Sequence, residues 1–180
     1  MDEKIKWDLD LAHTNIEFRV KHLMITNVKG KFKVYTLDAS TIGNDFTTVK
    51  IEFKIDANSI DTGSDERDNH LRSADFFNVE KFKEILFHST DMELIATDIY
   101  KLKGDLTICG NTHPIVLEAE YNGSMTDPWG VMKAGFSLTG ALNRKDWGLN
   151  WNTALESGGW LVGDDVKIIC DVQLKKSIEK

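Results

Sequence analysis

The sequence predicts an all-β fold whose antiparallel strands close around an apolar interior, and three observations predict it. Nine stretches alternate apolar with polar side chains at a period of two, the pattern of a strand with one oily and one wet face. Helix-start chemistry is confined to one polar stretch, and both prolines read as loop residues. Strands with one oily face each must wrap it around something. That something is either their own side chains or a long apolar guest.

Trp7 to Ala12 and Asn15 to Leu23 open the pattern, the second with Ile16, Phe18, Val20 and His22 in phase. Thr26 to Asp38 reads as one long strand in which Gly30 marks a bulge or bend. Thr47 to Asp56 sets Val49, Ile51, Phe53 and Ile55 against Lys50, Glu52, Lys54 and Asp56, so a slip of one residue would bury charge. The period then breaks. Ser64 suits an N-cap, and Asp65 and Glu66 suit the first turn of a helix reaching Ser73, with a second short turn near Phe77 to Lys81. Strands resume from Ile85 to Thr97 and from Tyr100 to Cys109. Residues 110–114 read as a hairpin connection into Ile115 to Tyr121, and 123–130 as a loop before Val131 to Leu142. A polar and aromatic loop, Asn143 to Asn152, precedes the closing strand with Val166, Ile168, Cys170, Val172 and Leu174.

The 180 residues fit one domain, 1–180, with 41% hydrophobic and 28% charged residues leaving ample material for a core. A net charge of −7, with Lys and Arg interleaved among Asp and Glu, excludes a nucleic-acid partner and disfavours docking on anionic headgroups. The first residues lack the apolar core of a signal peptide, so a cytoplasmic location is expected. Cys170 reads as a buried free thiol; Cys109, beside Gly110, as partly exposed.

Ordered blocks along nearly the whole chain carry a resemblance. They are Trp7-x-Leu9-Asp10-x-x-His13-Thr14-x-Ile16-x-Phe18, Val28-x-Gly30-x-Phe32, and residues 59–63 (Ser-Ile-Asp-Thr-Gly). Then come Arg67-Asp68-x-His70-Leu71-Arg72-Ser73-x-Asp75-Phe76-Phe77, Gly104-Asp105-Leu106-Thr107-Ile108-x-Gly110, Arg144-x-Asp146-Trp147-Gly148-Leu149, and Val162-Gly163-Asp164-x-Val166. The chain resembles the YceI-like family of polyisoprenoid-binding proteins. That resemblance implies an extended antiparallel eight-stranded lipocalin-like barrel, often dimeric, whose lumen holds the tail of a prenyl pyrophosphate or quinone-like lipid. Many members look exported where this chain does not, which points to a ligand pool in the cytosol or at the inner face of a membrane. Trp147 stands where the family usually has Phe, a bulkier ring expected to narrow whatever it lines.

On that reading the apolar wall is Phe18, Val20, Phe32, Val34, Ile51, Phe53, Ile55, Phe76, Phe87, Leu106, Phe136 and Ile168. Arg67, His70 and Arg72 are the candidates for a headgroup, since a guanidinium fork suits phosphate oxygens. A transient membrane contact and a homodimer are further partner expectations. Gly30, Gly104 and Gly135 remove volume from strand interiors and favour a cavity over a dry core, though they serve equally as bends. No cofactor or metal is expected, because the five histidines form no ligand cluster and no nucleophile or nucleotide motif is present. Asp68 and His70, two apart, do not share a helix face. The chain is therefore read as a binding protein and not an enzyme. The alternatives are a small lipid-modifying or hydrolytic enzyme using His and Asp at the barrel mouth, and a structural or stress-related barrel without a dedicated ligand.

Overall fold

A computed structural model describes residues 2–178. In chain order the strands are β1 (Lys4–Leu9), β2 (Asn15–His22), β3 (Thr26–Phe32), β4 (Tyr35–Ile42), β5 (Asp45–Asp56) and β6 (Ile60–Asp61). After the helix α1 (Asp65–Arg72) come β7 (Glu84–Ala96), β8 (Ile99–Ile108), β9 (Asn111–Thr126), β10 (Met132–Asn143) and β11 (Val162–Lys176). All pairings are antiparallel. The ladder β1-β4-β5-β7-β8-β9-β10-β11 closes through β11 back onto β1, giving the eight-stranded barrel.

The end of the barrel beside β3 is split, and at the other end β5 and β7 part beyond their Glu52–His88 pair. β11 pairs with β2 over Val162–Asp171 and with β1 over Leu174–Lys176, so β1 and β2 together make one kinked stave. β3 and β4 form its neighbour. At the split end β3 has left β5 and keeps only the two-residue β6, at Lys31 and Phe32, on its outer side. The opening is covered by α1 and the chain that follows it. Phe77 there packs edge-on against Phe32, 5.9 Å between ring centres.

The break between β3 and β4 corrects the single strand expected over Thr26 to Asp38. Lys33 and Val34 leave the ladder, and their N–H groups donate to Ser59 Oγ at 3.1 and 3.0 Å. Two residues outside the ladder reset the alternation: Phe32 is the last inward side chain before the break and Tyr35 the first after it, and Val34 is turned out, 55% exposed.

Other boundaries also shift. Helix α1 is where the capping chemistry puts it, with Ser64 accepting from the Arg67 N–H. The short turn expected near Phe77 to Lys81 is present. The β8–β9 hairpin turns on Cys109 and Gly110, both with positive φ, so residues 111–114 belong to β9 and Pro114 pairs with Asp105. Proline is tolerated there because β10 reaches along β9 only as far as Glu118, leaving the edge beside Pro114 unpaired. β9 also runs through the expected loop as far as Thr126, bending at Gly123 opposite Gly135, where the register with β10 shifts.

Candidate functional site

The inward faces enclose two apolar chambers in series. The larger, about 520 Å³, lies at the split end; the smaller, about 190 Å³, lies deeper. Ile16, Ile55, Leu106 and Ile168 line both and form a waist between them. Beyond the inner chamber the barrel is filled by aromatic rings. Phe46 packs on Trp7, Tyr121 and Phe136 at 4.9–5.8 Å between centres, and Tyr100 leans on Phe136. Trp7, fully buried, is pinned by its indole N–H to Thr41 Oγ1 at 2.9 Å.

Among the wall candidates, Phe18, Val20, Phe32 and Phe76 line the outer chamber, Ile51, Phe53, Phe87 and Phe136 the inner one, and Ile55, Leu106 and Ile168 the waist. Val34 lines neither; the strand break puts it on the outer surface. Two of the glycines act differently from the sequence reading. The Phe18 ring lies over Gly30, its partner across the β2–β3 ladder, and the Phe87 ring lies over Gly104, so closely that a Cβ at either glycine would collide with the ring. These glycines seat rings and do not open space. Gly135 marks the register shift with β9.

The outer chamber reaches solvent at exposed Lys21, Glu66 and Arg67. Arg67, His70 and Leu71 all line it, as residues three and four apart on one helix face must. Arg67 donates from Nε to Thr62 Oγ1 at 2.7 Å and from Nη2 to Thr62 O at 2.6 Å, and buried Asp68 accepts from the same threonine. Two of the five guanidinium N–H donors are thus engaged among the described residues. His70 Nε2 lies 2.8 Å from Asp75 Oδ2, its ring framed edge-on by Phe76 and Trp151 at 5.2 and 4.6 Å. Arg72 is a correction. Five residues on from Arg67 it points away from the chamber and ties α1 to the β6 segment through Asn58 O and Ile60 O, each at 3.0 Å.

Two residues of the mouth were not singled out from sequence. Trp151 lines the outer chamber, and Arg144, 3% exposed, lies beneath the loop that borders it. The Arg144 guanidinium donates to the carbonyls of Gly163, Leu149, Trp151 and Val162 at 2.5–3.4 Å, holding the loop against the start of β11. Burial lowers its pKa, with Asp164 opposing the shift. An arginine inside a loop motif was the available signal. Trp147 lines neither chamber: it is buried outside the lumen, donating to Leu106 O at 2.9 Å, so its size does not narrow the passage.

The Asp10-x-x-His13-Thr14 block is the joint of the kinked stave. Asp10 accepts from Lys133 Nζ at 2.8 Å and Gln173 Nε2 at 3.0 Å, with His13 Nδ1 at 3.1 Å. The Lys133 hydrogen bond holds its pKa down to about 2. Both cysteines are free thiols; Cys170 lines the inner chamber, where burial pushes its pKa up to about 11. Among the described residues no three His, Cys, Asp or Glu side chains converge on a metal-sized site, and no helix is long and apolar enough to cross a membrane.

Comparison with known proteins agrees with this architecture. The YceI-like domain matches residues 7–174. A UPF0312 protein of Staphylococcus aureus is 42% identical over 159 residues, covering 88% of this chain and 90% of that protein. The crystal structure of the Campylobacter jejuni YCEI protein superposes with a TM-score of 0.73 at 35% identity, over 95% of this chain and 97% of that one. A domain from Saccharophagus degradans, described as polyisoprenoid-binding, shares the fold with a TM-score of 0.69 at 16% identity, over 95% of this chain and 98% of its own.

Proposed function

The chain belongs to the YceI-like domain family, and on that premise we propose that it is a carrier that holds the tail of an isoprenoid lipid in the barrel lumen with the head at the split end. The observation that carries the reading is the apolar passage of two chambers, filled by rings at one end and reaching solvent at the other. Its outer chamber alone falls within the size range of small-molecule sites. Each buried methylene contributes about 0.8 kcal/mol, so a long tail binds tightly with few polar contacts. Arg67 and His70 stand at the rim, where a pyrophosphate or quinone head would emerge. The polyisoprenoid-binding description of the Saccharophagus domain, alike in fold, supports the same ligand class.

Native mass spectrometry of the purified protein tests this. A co-purified prenyl lipid, or uptake of a prenyl quinone or pyrophosphate by emptied protein, is the expected result. A lumen that rejects both would overturn the proposal. A hydrolytic reading has one observation in its favour, the 2.8 Å His70–Asp75 pair at the chamber rim. Turnover of a bound prenyl ester, lost in His70→Ala with binding retained, would decide for it.

A further inference from the structure

The β2–β3 hairpin breaks two local rules at the same end of the barrel. Its tip is a three-residue loop between the paired His22 and Thr26, in which the Ile25 N–H donates to His22 O at 3.2 Å and Leu23 and Met24 are both left-handed at φ 53° and 62°. Turns of this geometry favour Asn-Gly, because bulky side chains are strained at positive φ. Here the turn instead carries Leu23, Met24 and Ile25 into solvent, 40%, 60% and 81% exposed. Trp160, 54% exposed, lies on the adjoining loop, whose Leu161 O accepts from the Leu23 N–H.

The second broken rule is electrostatic. Lys167, Arg19 and Lys29 stand directly opposite one another across β11, β2 and β3, on the outer face. Like charges in register destabilise a sheet. None of the three forms an ion pair among the described residues. Lys21 and Lys31 extend the row along the hairpin, with the acidic groups Glu17 and Asp61 directly opposite Lys31 on its two sides and Asp165 near the start of β11. In a chain of net charge −7 this is a local basic face. It qualifies the reading that overall charge disfavours anionic surfaces.

An apolar tip at the mouth of the outer chamber with a cationic row behind it has the chemistry of a bilayer interface: side chains that enter the acyl boundary and cations that meet anionic headgroups. We propose that the Leu23–Ile25 tip and the Lys167–Arg19–Lys29 row dock the split end of the barrel onto an anionic lipid bilayer. The proposal rests on the carrier reading for its purpose, since His22, Leu161 and Val162 line the chamber at the same place. Docking there brings the lumen to a source of tails.

The test is co-sedimentation of the full chain with vesicles of phosphatidylcholine alone and of phosphatidylcholine with about one third phosphatidylglycerol. The anionic vesicles should retain the protein at least tenfold better, with the difference lost at high salt. Two sets of variants keep the fold out of question. Leu23→Asn with Met24→Gly supplies the residues the turn prefers, and Lys29→Glu places opposite charges across the β2–β3 ladder, so both should raise Tm. Lys29→Glu should nonetheless weaken binding to anionic vesicles by more than about fivefold, the worth of one neutralised charge, and the tip variant should weaken it through the apolar area it removes. Undiminished binding by both variants overturns the proposal, as does equal binding of the wild type to neutral and anionic vesicles. Self-association lost in the tip variant, with no vesicle binding, would assign this face to a second copy and also overturn it. Native mass spectra of the same samples separate the two readings: prenyl lipid retained without docking refutes this inference alone, and docking without prenyl lipid refutes the carrier alone.

Discussion

Closing the waist should make affinity depend on tail length. Ile168 lines both chambers from β11, and Ile168→Phe adds a ring between Ile16, Ile55 and Leu106. The inner chamber beyond it measures about 190 Å³. At about 24 cal/mol per Å³ of filled apolar cavity, a tail occupying it gains about 4.5 kcal/mol, equivalent to about six methylenes or a little over one isoprene unit. Partial filling halves this, so the variant should weaken a tail long enough to pass the waist by about 2 kcal/mol or more, at least thirtyfold. A tail that ends in the outer chamber should bind as before. The assay is competitive displacement of a fluorescent prenyl analogue by a series of prenyl alcohols of rising length, in wild type and variant. Overpacking costs about 1–3 kcal/mol of fold stability, checked by guanidinium unfolding. Equal weakening across the series, or none at the long end, would show that tails do not cross the waist and would refute the two-chamber account.

Three further perturbations read the frame around the passage. Gly30→Ala forces the Phe18 ring aside and should cost about 1–3 kcal/mol in urea unfolding, a loss largely recovered in Gly30→Ala with Phe18→Leu; additive losses would deny the contact. Arg144→Met removes the donors to four carbonyls and should cost about 3 kcal/mol or more, with faster amide exchange between 149 and 163; exchange unchanged there would mean the loop is held by something else. Asp10, at about 2 in the folded chain against 3.8 unfolded, contributes stability above pH 3.8 that is lost as the pH falls from there towards 2. The amount is about 2 kcal/mol, and Asp10→Asn should flatten the stability profile across that window; an unchanged profile would place the acid transition elsewhere.

The inward and outward faces were legible wherever a strand ran unbroken, because parity along a strand fixes the face of every residue in it. Ile51, Phe53 and Ile55 on β5, and Leu106 on β8, are inward for that reason alone. Val34 escaped because parity resets at a break, and the break depends on Ser59, 25 residues away, accepting two stranded N–H groups. Arg67 and Arg72 looked equivalent in composition; their spacing of five already separates them onto different helix faces, a signal present but not used. The roles of Gly30 and Gly104 needed knowledge of which ring lies across the ladder, which register supplies and sequence does not. Trp151 and Arg144 lie in a loop without periodicity, where no pattern reports which side chain turns in.

The asymmetry of the two ends follows from how the sheet is closed. At the ring-filled end β1 is held on both sides, by β4 and β11, while β5 and β7 part beyond Glu52 and His88, where the Ile51 N–H donates to Ser89 Oγ at 2.8 Å and Phe46 and Met92 on the two strands are buried. At the other end β3 has β2 on one side and two residues of β6 on the other, so the sheet there has an edge that the ladder does not satisfy. That edge is covered by α1, and the cover is fastened largely by polar side chains: Arg72 on Asn58 and Ile60 carbonyls, Asp68 and Arg67 on Thr62. Polar fastenings at a solvent-facing rim exchange readily with water, whereas the Trp7, Phe46 and Phe136 cluster separates only by exposing buried rings. On the carrier proposal, a guest would enter past α1 and stop against the rings. The same split leaves the outer edge of β3 before Lys31 without a strand partner among the described residues, in the hairpin whose tip exposes Leu23, Met24 and Ile25.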